Sequence, residues 1–209
     1  MSRTVIAIDG PAGSGKSTVA KAVAKALSWH YLDTGSMYRA VTVAAQRRNL
    51  NLNDEEVMGD FAESVTIELG HSVLVNGEDV TEELRTEQTN RDVSIVATMA
   101  RVRHAMVHQQ RLFATTAATG IVVEGRDITT VVFPDARVKI YLTASLEERS
   151  RRRGDDEGED SVARRDHADM SRAVSPLTQA SDAHTIDTTG RSIDDVVEEI
   201  LTCLANSSN

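Results

Sequence analysis

Short apolar runs rich in β-branched residues alternate along this chain with segments of helical composition. Thr4 to Ile8 is the first such run, and a loop of Gly, Pro, Ala and Ser separates it from Ser17 to Leu27, which reads as a helix. His30 to Leu32 predicts a second strand ending at Asp33, and Met37 to Arg48 predicts a helix carrying Tyr38 and Arg39 in its first turns. The βαβ rhythm then stops. Asn51 to Glu63 is acidic and helix-like, and Val65 to Val80 alternates as two or three short antiparallel strands would, with Asn76-Gly77 as a turn. This stretch reads as an insertion. Thr89 to Thr116 is helical in pattern, while Ile121 to Glu124 and Val138 to Leu142 are continuous apolar runs of the kind buried in parallel sheets. A helix from Ser145 to Arg153, an acidic stretch from Gly154 to Asp160, a strand from Thr185 to Asp187 and an amphipathic helix from Ile193 to Leu204 complete the chain. The pattern predicts an α/β fold, a doubly wound parallel sheet with a small antiparallel insertion.

Composition narrows the picture without changing it. The length of 209 residues suits one compact domain over 1–209, and 40% hydrophobic with 26% charged residues allows a core of ordinary size. A net charge of −9 argues against nucleic acid or an anionic membrane as partner, because both require clustered cations. Cys203 is the single cysteine, so no intramolecular disulfide is possible; a reducing, cytoplasmic setting is expected. The apolar stretch from Val5 to Asp9 is too short for a signal or a membrane span.

Gly10-Pro11-Ala12-Gly13-Ser14-Gly15-Lys16-Ser17 fits G-x-x-x-x-G-K-[ST] between a predicted strand and a predicted helix, where a P-loop must lie. Glycines there let successive N–H groups turn inward around a phosphate at a helix N-terminus. Lys16, read as surface-exposed, would reach the β- and γ-phosphate oxygens, Ser17 would ligate Mg²⁺, and Thr18 completes the candidate ATP site. The bland alternative is a glycine-rich turn with an exposed lysine. The loop alone leaves the acceptor open, since ATPases, GTPases and small-molecule kinases share it.

Three further motifs accompany the P-loop: Leu32-Asp33-Thr34-Gly35-Ser36-Met37-Tyr38-Arg39; Glu124-Gly125-Arg126-Asp127, followed by Val131-Val132-Phe133-Pro134-Asp135-Ala136; and the segment from Arg164 to Leu177. In this order, from Ile6 to about Asp187, the chain resembles the bacterial cytidylate kinase family. The resemblance implies a P-loop kinase core with a monophosphate-binding insertion at about 35–115 and a short helical lid at about 149–172. The implied reaction moves the γ-phosphoryl group of ATP onto CMP or dCMP, with Mg²⁺. It also implies that Arg39 and Arg126 hold the acceptor phosphate, that Asp127 accepts from the cytosine amine, and that Ser94 and Arg103 meet the other base atoms. Asp169 and Arg172 would take ribose and phosphate, and Arg149 and Arg153 would act as lid arginines on the transferring group. Monomeric action is expected.

Bland readings stand beside these. Arg39 also reads as a solvated helix cation, Thr34 as a helix N-cap as well as the CMP contact that is expected of it, Asp127 as an N-cap or a partner for Arg126, and Asp169 with Arg172 as an intrahelical pair. Arg149, Arg151, Arg152, Arg153, Arg164 and Arg165 around an acidic segment also read as a solvated helix and loop. The acids Asp155, Asp156, Glu157, Glu159 and Asp160 are expected to face solvent. Two rival functions are a kinase for another small acceptor and a nucleotide-dependent switch without one. The chain departs from the family at Ile128-Thr129-Thr130, where a glycine usually precedes the threonine before Val131. Ser94 and Arg103 would emerge on opposite faces of one straight helix. If both meet the base as the resemblance implies, two helical pieces are expected, ending near Met99 and restarting before Arg103; the alternative is an unbroken helix around which the long Arg103 side chain wraps.

Overall fold

The apolar run after Thr4 forms strand β1 (Val5–Asp9), buried along its whole length. A computed structural model describes residues 4–153, 159–172 and 174–207, apart from the side chains of Ser161 and Arg165. Strands β2 (His30–Asp33), β6 (Ile121–Gly125), β7 (Val138–Thr143) and β8 (His184–Asp187) join β1 in a sheet of order β2-β6-β1-β7-β8. β1 pairs in parallel with β6 and β7, and β7 with β8. The central β1 and β6 are buried along their whole length and so have no solvent side for polar residues, which explains their apolar runs. In chain order, between β2 and β6, come the short β3 (Ile67–Leu69), β4 (Val73–Val75) and β5 (Glu78–Asp79), paired antiparallel in a separate sheet. Asn76 and Gly77 both take left-handed backbone angles (φ 51° and 81°), as the Asn-Gly signal predicts for a tight hairpin.

The chain divides into two compact units, one of Met1–Leu32 with Phe113–Asn209 and the other of Asp33–Leu112. In the first unit, helix α1 (Lys16–Leu27) lays Val19, Ala20, Val23 and Ala24 into a core with Ile6, Ile8, Val122, Ile140 and Leu142. The C-terminal helix α8 (Ile193–Asn206), capped by the Ser192 hydroxyl accepting from the Asp195 N–H, adds Val196 and Ile200. Each such fully buried aliphatic side chain contributes about 1.5–3 kcal/mol. Trp29 packs against the same core, so close to Gly120 that a β-carbon there would sit 2.4 Å from the indole. Helices α6 (Leu146–Arg153) and α7 (Glu159–Met170) also belong to this unit. Residues 154–158 of the expected acidic stretch, including Asp155, Asp156 and Glu157, lie outside the described residues. Glu159 and Asp160 are exposed in the first turn of α7, where negative charge complements the helix dipole.

The second unit holds α2 (Thr34–Arg47), α3 (Glu55–Ser64), the three short strands, a 3₁₀ turn at Thr81–Arg85, α4 (Glu87–Val96) and most of α5 (Ala100–Thr116). Helix α2 starts at Thr34 rather than Met37, and Thr34 is not its N-cap. That role falls to Asp33, whose carboxylate accepts from the Ser36 N–H at 3.0 Å and the Ser36 hydroxyl at 2.7 Å. Two acceptor oxygens aimed at the first turn outcompete one hydroxyl. The predicted break in the long helical segment is present at Ala97–Met99, although α4 already ends at Val96.

Candidate active site

The loop after β1 turns where only glycine fits. A β-carbon on Gly10 would lie 2.1 Å from the Leu142 carbonyl oxygen, and one on Gly13 (φ 77°) would lie 2.7 Å from the Arg149 carbonyl oxygen. Gly15, also left-handed, leads into α1 without a side-chain cap, so the helix's first N–H groups are left for a ligand. Ser17 is half-buried and Thr18 exposed on its first turn. Lys16 corrects the sequence reading: it is only 6% exposed, and its ammonium donates to the Pro11 carbonyl at 2.7 Å. Burial, and then the charge of Arg126, push its pKa down to about 7 against the opposing pull of Glu124, Asp9 and Asp169.

The sign of this shift makes a prediction. Phosphate oxygens bind the ammonium form, so ATP affinity is full below pH 7; above it, binding must take up a proton. The apparent Kd for ATP should then rise by up to about tenfold per pH unit between pH 7 and 9. Calorimetric titration across pH 6–9 checks this, and the slope should flatten in Lys16→Met.

At the end of β6, next to β1, the chain leaves the sheet through Glu124, Gly125, Arg126 and Asp127. Glu124 is buried and accepts from the Tyr31 hydroxyl at 2.7 Å. The Arg126 Nε donates to Asp169 at 2.6 Å, and Arg172 bonds the other oxygen of the same carboxylate. Burial opposes ionisation of Asp169, yet Arg126 and Arg172 hold its carboxyl below the usual range. Asp169 thus aims two guanidinium groups, and Arg172 stands beyond the end of α7 instead of within it. Asp127 is 5% exposed and makes no capping bond to the turn that follows, which removes the N-cap reading.

Arg149 is buried in α6. Its guanidinium donates to the carbonyls of Ala144 and Ala12 and pairs with Asp166 of α7. Arg152 bonds the Thr188 hydroxyl and carbonyl at 2.9 and 2.8 Å, and the Thr188 hydroxyl meets the Ser14 carbonyl at 3.2 Å. Two arginines of α6 are thereby tied to the P-loop or its direct partner. Arg153 is half-buried at the last position of α6, Arg151 pairs with Glu148, and Arg164 is exposed.

In the second unit, Arg39 donates to the Gly35 carbonyl at 3.2 Å and to Asn90 at 3.4 Å, with Thr34 buried one turn before it. Arg103 is 3% exposed; it donates to the Ala97 carbonyl at 3.0 Å and lies 5.5 Å from the Tyr38 ring centroid. The helix break thus supplies the carbonyl that holds Arg103. Ser94 is exposed, its hydroxyl bonded back to Asn90 of its own helix at 3.3 Å. Sequence reasoning missed Asp9, Glu124, Arg152 and Asp166. Asp9 and Glu124 each had a readable signal, an acid at the end of an apolar strand.

The sequence profile of the cytidylate kinase family matches residues 6–206. This chain belongs to the cytidylate kinase family. The kinase is 49% identical over 212 residues to a cytidylate kinase of Desulforamulus reducens, covering 94% of this chain and 95% of that one. It is 46% identical over 219 residues to one of Bacillus subtilis, covering 97% of both. Its fold resembles a solved protein of Thermus thermophilus (18% identity, TM-score 0.57, all of both chains). It also resembles a shikimate kinase from Acinetobacter baumannii (16% identity, TM-score 0.51, 98% and 94% covered). These two likenesses carry the fold alone. Among the described residues no helix of the kinase is long and apolar enough to cross a membrane.

Proposed function

We infer that the kinase moves the γ-phosphoryl group of ATP onto CMP or dCMP, giving ADP and CDP or dCDP. The observation that carries this reading is the junction at the carboxyl ends of β1 and β6: the P-loop lysine shares one charged neighbourhood with Arg126, Glu124 and Asp169, and Asp127 follows Arg126 directly. Ligands of open α/β sheets bind at such strand ends.

Residues 10–18 hold the ATP phosphates. Ser17 would hold Mg²⁺, and Glu124 lies on the strand beside the P-loop strand, where a Walker-B acid would serve the ion. Among the described residues no group of three or more His, Cys, Asp and Glu could hold a metal unaided. That donor set fits a Mg²⁺ held mainly by phosphate oxygens and water, which would supply charge neutralisation to the phosphates. Lys16 and the α6 arginines Arg149 and Arg153 balance charge on the transferring group. Arg39, Arg126 and Arg172 grip the acceptor phosphate, Thr34 supports it, and Asp169 orients two of those arginines while accepting from ribose. Asp127, Ser94 and Arg103 read the base. The acceptor phosphate is already an anionic nucleophile, so positioning and charge neutralisation supply the catalysis, with no covalent intermediate. The unit Asp33–Leu112 serves as the monophosphate-binding insertion and the segment near 149–172 as the lid. The kinase acts as a cytoplasmic monomer, on nucleotides and without nucleic-acid or membrane partners.

A panel of CMP, dCMP, UMP, AMP and shikimate, assayed for ADP release, tests the reading. Cytidine acceptors should lead by at least tenfold; equal or better use of a non-cytidine acceptor would overturn it.

A further inference from the structure

We propose that Asp9 and Thr129 act as a positioning pair, fixing the turn that carries Asp127 in register with the ATP loop. The proposal rests on the CMP reading above. Asp9 is the last residue of β1, immediately before Gly10, and is wholly buried. Its Oδ1 accepts from the Ile128 N–H at 2.9 Å, and its Oδ2 accepts from both the N–H and the hydroxyl of Thr129 at 2.7 Å.

The need for this contact lies in the backbone. Strand pairing aligns Asp9 with Gly125, but pairing ends there. Beyond it the chain enters a π-helical turn over Ile128–Val132, where the N–H groups of Val131 and Val132 both return to the Asp127 carbonyl. The first N–H groups of such a turn have no partner within it. One carboxylate takes two of them. Thr129 is 1% exposed, and its hydroxyl finds its buried acceptor in the same carboxylate. Asp9 is therefore one rigid link between the donor cradle that starts at the next residue and the specificity residue one position before the turn. Burial raises the Asp9 pKa above the ordinary carboxylate range against the opposing donors from Thr129 and Ile128, so losing one donor would raise it further. The Thr129 hydroxyl is thus the source of the third hydrogen bond.

The test is Thr129→Val, which keeps the shape and removes the hydroxyl, with Thr129→Ser as rescue. KM and kcat are measured for CMP, UMP and ATP beside thermal midpoints. The proposal expects Thr129→Val to reduce the CMP-over-UMP preference about tenfold, the loss of one hydrogen bond to a charged group. KM for ATP should stay within twofold, and Thr129→Ser should restore the preference. A lowered midpoint with an unchanged CMP-over-UMP ratio would overturn it, as would equal rises in KM for ATP and CMP. If Thr129→Val fails to fold, Thr129→Cys, a weaker donor of similar size, must show a partial loss of the same ratio; an intact ratio overturns the proposal. Wild-type kinase without a preference for CMP would instead sink the substrate reading itself.

Discussion

Lys16→Ala should lower kcat for CMP phosphorylation about a hundred- to a thousandfold while the protein stays folded. The size follows from removing a preorganised charge that acts on the transferring group in a site largely closed to water. Survival of the fold follows from the first unit's core: α1 is held by Val19, Ala20, Val23 and Ala24, none of which depends on Lys16. Loss of the ammonium also removes a buried charge whose pKa has fallen to about 7, which offsets part of the cavity left behind. Steady-state rates at saturating ATP, with circular dichroism as the control for folding, decide the matter. Turnover within a few-fold of wild type would mean that Lys16 is a structural lysine and the loop is not the donor site.

The second large effect concerns base recognition. Asp127→Ala should reduce kcat/KM for CMP by about ten- to a hundredfold, the worth of a hydrogen bond to a charged acceptor, while UMP changes little because uracil lacks the amine. The buried carboxylate does not cap the turn that follows it, so its loss should not unravel Ile128–Val132, which the Asp9 contacts hold. Parallel losses for both nucleotides would make Asp127 a structural residue.

Local chemistry was legible, and long-range chemistry was not. The β1 run, the glycine-bounded loop and the Asn76-Gly77 hairpin were read from neighbours in the chain, because periodicity and turn preference act over a few residues. The break before Arg103 came from the family resemblance, since the local pattern of Thr89 to Thr116 reads as one helix. Thr34 was misread as a cap because a hydroxyl before a glycine is a common cap and the stronger Asp33 stands just ahead of it. Lys16 was misread as exposed because motif spacing says nothing of how deeply the folded chain buries it or of the charges of Arg126, Glu124 and Asp9 that then act on it. The bonds from Arg149 to Asp166 and from Thr129 to Asp9 join residues 17 and 120 positions apart. No local pattern encodes such pairs; the crossing of strands and helices brings them together.

Trp29, wedged against Gly120 and the core of the first unit, is the only tryptophan in the chain. Indole emission is therefore a one-sided witness. In an unfolding titration it follows the unit that holds the P-loop, while melting of Asp33–Leu112 on its own passes unseen at that wavelength. Backbone circular dichroism records both units, so a gap between the two curves would separate their stabilities without any label.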